Sequence, residues 1–193
     1  MRLEPSEDVR GRRLGLRGAV PLALLLSVAV GAAPALPALS TGPNASAEGL
    51  TQTLLALQAR YQSAAPADRE QLEAELLSAA ATRQRVLGGL VETNPAAVLR
   101  VALPAGVRSA FPPAVQVYIE EEVEIEGTLL VLHEDRDRGS RYLYFLEAGG
   151  QRFSLHFAAD QPALLTGSRV RVKGLRLGSA MVLASGKTSL QIL

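Results

Sequence analysis

Residues Glu122 to Ser185 constrain the fold of this chain more than any other stretch. Val123, Ile125, Leu129 and Val131 begin a long strand that Gly127 interrupts. Arg141-Tyr-Leu-Tyr-Phe-Leu146 and Arg152-Phe-Ser-Leu-His-Phe157 flank a Gly149-Gly150 turn, the pattern of a hairpin. Asp160-Gln-Pro-Ala-Leu-Leu165 reads as a short helical link, and Arg169-Val-Arg-Val-Lys173 with Ala180-Met-Val-Leu183 supplies a last strand pair. Successive strand residues point to opposite faces, so each segment can bury one side against a shared interior. Five strands with a helix between the third and fourth follow the order of an OB-type barrel. The predicted class is α+β: an amphipathic helical segment over 47–113, then a small five-stranded OB-like β-barrel over 115–185, with 186–193 as a tail.

Composition removes several function classes. With 20 basic and 19 acidic residues the formal charge is +1, too small for a long-range field that steers polyanions. Cysteine is absent, which excludes a disulfide framework, a thiolate metal site and a cysteine nucleophile together. Tryptophan is also absent and aromatics make up only 4%, thin material for a stacking surface.

The first residues have the layout of an address. Arg10, Arg12, Arg13 and Arg17 precede an apolar run from Ala19 to Ala33, followed by small residues and prolines. That layout predicts a secretory signal peptide over 1–38 and a linker over 39–46. The apolar run falls short of the roughly 20 residues that span a bilayer comfortably, and Pro21 weakens it further as a permanent helix. An uncleaved inner-membrane anchor is the alternative. Gly15 occupies the position where a twin-arginine signal usually carries a bulky apolar residue, which favours Sec export.

Between the address and the strands, Leu50, Leu54, Leu57 and Tyr61 form a helical stripe broken by Ser63-Ala-Ala-Pro66. A second helix starts near Pro66 and Asp68, with Leu72, Leu76, Leu87 and Val91 along its stripe and Arg83 off it. Asn94-Pro95 stops it, and Pro95 can open a third helix over 96–103.

Glu122, Glu124 and Glu126 share one strand face, and Arg169, Arg171 and Lys173 share another. The first and fourth strands of an OB barrel are neighbours, so these faces are expected to meet as solvated cross-strand pairs. Tyr142 and Tyr144 also share a face on the second strand, where such barrels stack bases or sugars. The candidate ligand-binding residues are therefore Tyr142, Tyr144, Arg141 and Arg152, with Arg136 and Arg138 in the adjoining loop. His133 and His156 lack metal-binding spacing, so neither a metal nor another cofactor is predicted. Gly186-Lys187-Thr188 lacks the glycine a phosphate-binding loop needs five residues earlier, where Met181 stands. Ser154 and Ser168 lack a glycine elbow or a histidine–acid partner in a suitable frame, so no catalytic residue is assigned.

Asn94-Pro-Ala-Ala-Val-Leu-Arg100, Glu126-Gly-Thr-Leu-Leu-Val-Leu-His-Glu-Asp135 and Arg141-Tyr-Leu-Tyr-Phe-Leu146 together resemble a region of exported bacterial multidomain proteins. In these it lies between a signal peptide and a downstream catalytic or adhesive domain, in some cases a gametolysin-like metallopeptidase. The similarity spans about Leu50 to Leu193 and its motifs are structural. It implies a propeptide-like or partner-recognition module, with an extracellular protein, peptide or saccharide, or a downstream catalytic domain, as partner. Nucleic acid is not expected outside the cytoplasm, and a membrane is expected only through an uncleaved N-terminal segment. The front end of a secreted metallopeptidase and an anchored structural envelope protein are the competing expectations.

Overall fold

The computed structural model describes residues 46–136 and 139–193, which fall in one compact unit, Ser40–Leu193. The predicted signal peptide and almost all of the linker lie outside the described residues, as do Arg138 and the side chain of Arg136.

Helix α1 (Ala47–Ser63) starts where the Ser46 hydroxyl accepts a hydrogen bond from Gly49 N at 3.1 Å. A short 3-10 turn, Pro66–Asp68, leads into α2 (Arg69–Thr93). That helix ends at Asn94, whose side chain accepts from Ala97 N at 3.1 Å and so caps α3 (Pro95–Arg100). The predicted third helix is thus shorter than its apolar run. Single turns α4 (Ala105–Arg108) and α5 (Pro113–Gln116) follow prolines that set their first φ angles or sit just before them. Leu54, Leu57, Leu76 and Ala80 from the long helices bury against Leu103, Phe111, Val115 and Ile119.

The strands are β1 (Glu121–Arg136), β2 (Gly139–Ala148), β3 (Gln151–Phe157), β4 (Arg169–Leu177), β5 (Ala180–Leu183) and β6 (Leu190–Ile192). They form one six-stranded mixed sheet in the order β1-β2-β3-β5-β4-β6. A further antiparallel pairing of β1 with β4 makes the sheet ring-like. One strand serves both neighbours because β1 is long: residues 121–128 pair with β4 and 128–136 with β2. Gly127 sits at the handover, where a Cβ would come within 2.5 Å of the Glu147 carbonyl oxygen. Inside the ring lie Leu129, Tyr144, Leu146, Phe153, Leu155, Val170, Val172, Met181, Leu183 and Leu190.

Two expectations change here. Asp160–Leu165 is not a helix. Its polar groups bond outward instead: Gly186 N donates to Asp160 O at 2.7 Å, and the Tyr144 hydroxyl donates to Pro162 O at 3.0 Å. Pro162 has no N–H to give a helix, and Gly186 passes so close that a Cβ would meet Pro162 N at 2.5 Å. Residues 186–193 are likewise more than a tail, since β6 pairs with β4 from Val170 to Val172 and adds a sixth strand.

The helices cover the outside of β4 and β5. Leu87, Val91, Val98 and Val101 pack on Leu177 and Val182, with Leu175 and Ala180 alongside. A buried polar lock ties the same layers together. Arg83, fully buried and on the inner face of α2 rather than off it, donates to both oxygens of Glu120 at 2.6 and 2.8 Å. It also donates to Thr51 Oγ1 and to Val101 O, each at 2.8 Å, while Leu103 N donates to Glu120 Oε1 at 2.7 Å. Glu120 immediately precedes β1, so this network joins both long helices to the root of the sheet.

Candidate functional site

The register of β2 decides which side chains a partner can reach. Tyr142, Tyr144 and Leu146 alternate onto the inner face; Arg141, Leu143, Phe145 and Glu147 face outward. Tyr144 is 7% exposed and belongs to the core, with its ring edge-to-face against Phe157 at 5.2 Å. Burial, reinforced by Tyr142, raises its pKa above the usual tyrosine value. Tyr142 has the same parity but stands nearer the end of the hairpin, half exposed and stacked on His133 at 4.8 Å. The His133 imidazole in turn lies 3.5 Å from Asp135.

The four residues grouped from sequence are therefore divided by the sheet. Arg141 and Arg152 point outward and the two tyrosines do not, so Tyr144 is no stacking platform. The run Tyr-Leu-Tyr-Phe is apolar at both parities, so its alternation could not say which set faces the core.

Cross-strand register arranges the outer face in rows. Leu130 lies opposite Phe145, which lies opposite Ser154; Leu132 lies opposite Leu143. These four apolar side chains form one patch, with Leu132 at 42% exposed and the others half-buried. A charged row borders it on one side, Arg169–Thr128–Glu147–Arg152, and Glu134–Arg141 borders it on the other. Arg152 donates to Glu147 at 2.6 Å and sits 6.0 Å from the Phe145 ring centroid, at the outer limit of the cation–π range. The sequence singled out the two arginines of this face but missed Leu130, Leu132, Leu143 and Phe145. The signal that could have found them is the pairing of two apolar runs on adjacent strands.

The expected charge ladder lies further along the same strands. Arg171 bonds Glu126 and approaches Glu124 at 3.4 Å, and Lys173 meets Glu122 at 3.1 Å. These exposed pairs are screened by solvent and add little to stability, but they occupy the charges that a phosphate groove would need.

Where α2 crosses the sheet, a cleft of about 480 Å³ is lined by Gln84, Gly88 and Glu92 on one side and Ser154 and His156 on the other. The strand spacing of two brings His156 Nε2 to 3.0 Å from Ser154 Oγ, a pairing not expected from sequence. Burial lowers the His156 pKa below the usual imidazole value; Glu92 opposes that shift and Arg141 adds to it. Burial thus favours the neutral imidazole, which serves as a hydrogen-bonding group. Among the described residues, no group of three or more histidine, aspartate or glutamate side chains is placed to hold a metal ion.

Compared with protein-family models, with curated proteins and with solved structures, the chain matches none of them. Among the described residues no helix is long and apolar enough to cross a membrane.

Proposed function

We propose that this chain is a non-catalytic binding module, exported and OB-like, that recognises a protein or peptide segment with the outer face of β1, β2 and β3. The OB-like assignment is supported by the strand ring β1-β2-β3-β5-β4 closing on β1, in which β3 and β5 run parallel and every other pair antiparallel. In such barrels the face of the second and third strands is the usual binding surface. The observation that carries the functional reading is the apolar patch Leu130, Leu132, Leu143 and Phe145 on that face, rimmed by arginines. Aliphatic side chains with a single aromatic ring suit the side chains of a polypeptide better than stacked bases or sugars. The resemblance to exported multidomain proteins adds a downstream catalytic domain to the candidate partners.

The test is a screen of the full chain against immobilised peptides and glycans, repeated with Leu143→Asp and Phe145→Ser. The proposal expects a saturable peptide ligand that both substitutions release while the melting temperature holds. A ligand indifferent to both substitutions, or binding only to glycans, would place recognition elsewhere.

A further inference from the structure

Main-chain direction in β1 and β2 leaves an open edge beside the outer patch. Leu129 N donates to Ser168 O at 2.9 Å, and Val131 donates to and accepts from Thr166 Oγ1, each at 2.9 Å. Odd-numbered residues of β1 thus turn their main-chain groups away from β2, and the even-numbered ones bond it. The register Leu130↔Phe145 and Leu132↔Leu143 then commits the odd-numbered residues of β2 to β1 and turns the even-numbered ones to the opposite side. Bonding of β3 agrees: Ser154 N and Ala158 N donate to Ser179 O and Leu183 O beside β5, which leaves the odd-numbered residues of β3 for β2. The ladder between β2 and β3 stops at Tyr144↔Leu155. Ser140 and Tyr142 therefore hold their N–H and C=O groups toward an edge that, among the described residues, no strand pairs.

The two edges of this hairpin differ. On the β1 side the Thr166 hydroxyl plugs both main-chain groups of Val131, and Glu134 and Asp135 lie further along. Plugs and charges of that kind keep a stray strand off an edge. On the β2 side, among the described residues, no side chain bonds the edge at Ser140 or Tyr142. Half-exposed Tyr142 lies on the inner face there and Leu143 on the outer face, next to Leu132. N–H and C=O groups repeating at every second residue are matched by another extended main chain and not by a sugar or a base. A second copy of this chain fits poorly. The antiparallel register that engages both open residues sets Arg141 opposite its own counterpart, like charges at the closest cross-strand spacing.

Resting on the binding role proposed above, we infer that the partner is an extended peptide segment that adds to this edge as a strand. It bonds Ser140 and Tyr142 in the place beside β2 that β3 leaves after Leu155. The main chain supplies the bonds, and Leu132, Leu143 and Phe145 meet the apolar side chains of those peptide residues that face outward.

The probe is a short blocked peptide of alternating threonine and valine with a glutamate at each end, titrated into the nitrogen-15-labelled full chain. A second peptide of the same sequence carries N-methyl groups on two successive central residues, so that neither of its edges can pair. Saturable shifts are expected with the first peptide and none with the second. Exchange of the Tyr142 amide with solvent slows several-fold at saturation, while the Leu143 amide, already bonded to β1, is protected with or without peptide. Tyr142→Pro removes the edge donor and abolishes binding; should that variant fail to fold, the N-methylated peptide on the parent chain decides. Equal binding of both peptides, Tyr142 exchange that saturation leaves unchanged, or no saturable shift at all overturns strand addition. So does Tyr142 protection that rises with protein concentration alone, which would make a second copy the occupant. A peptide from the broader screen that Phe145→Ser releases, with Tyr142 exchange unchanged, would sink strand addition and leave recognition by the outer face standing.

Discussion

At the scale of single residues, the Arg83–Glu120 pair is the most consequential feature. Both side chains are essentially inaccessible, and every bond they make joins elements distant in sequence. Removing one partner strands a buried charge, so Arg83→Met is expected to cost about 3–5 kcal/mol in urea unfolding. Replacing both, as Arg83→Met with Glu120→Leu, should recover much of that loss, because the desolvation of two ions disappears with them. A double variant as unstable as the single one would contradict this account of the lock. Tyr144 and Tyr142 offer a milder contrast. Tyr144→Phe loses the bond to Pro162 O and should cost about 1 kcal/mol, whereas Tyr142→Phe should change stability by less than about 0.5 kcal/mol. His156 sets a pH dependence. Its pKa is lower folded than unfolded, so the unfolded chain binds the proton more readily and protonation favours unfolding. Its contribution to stability is whole above the unfolded value of 6.5 and is lost as pH falls through the lower folded value. Urea midpoints at pH 7.5 and pH 5.5 should therefore differ more in the parent than in His156→Gln.

At the scale of elements, the handover within β1 depends on Gly127. Adding a methyl group there drives it against a backbone carbonyl, which cannot swing aside as a side chain can. Gly127→Ala should cost about 1–3 kcal/mol in thermal or urea unfolding. A neutral result would mean that β1 and β2 separate more easily than their register implies. The same element shows how legible this chain was. The β1–β4 charge ladder could be anticipated because alternating glutamates and alternating basic residues demand opposite partners on adjacent strands. The parity of β2 could not, because Tyr142, Leu143, Tyr144 and Phe145 suit a core equally well from either side. The link over 160–165 carries helix-forming residues, yet its carbonyls are claimed by Tyr144 and Gly186 across the ring, contacts invisible to local propensity. Arg83 has a similar explanation: charge placed it off the stripe, while spacing from Ala80 and Leu87 put it on the stripe, and Glu120 resolved the conflict.

At the scale of the whole molecule, the helices and the ring divide the labour. The helices close over β4 and β5 through Leu87, Val91, Val98 and Val101, and α2 also reaches Ser154 and His156, which leaves the outside of β1 and β2 and the start of β3 to meet a partner. The proposed binding role depends on that division and, within it, on the outward direction of Leu143 and Phe145. A chain without native cysteine permits a direct reading of that direction. Single cysteines are introduced at Leu143, Phe145, Leu146 and Leu155, and their labelling by a thiol reagent is timed in native buffer. The account predicts fast labelling at positions 143 and 145 and protection at 146 and 155 until the protein unfolds. Protection at 143 and 145 with fast labelling at 146 would turn the sheet inside out and contradict it.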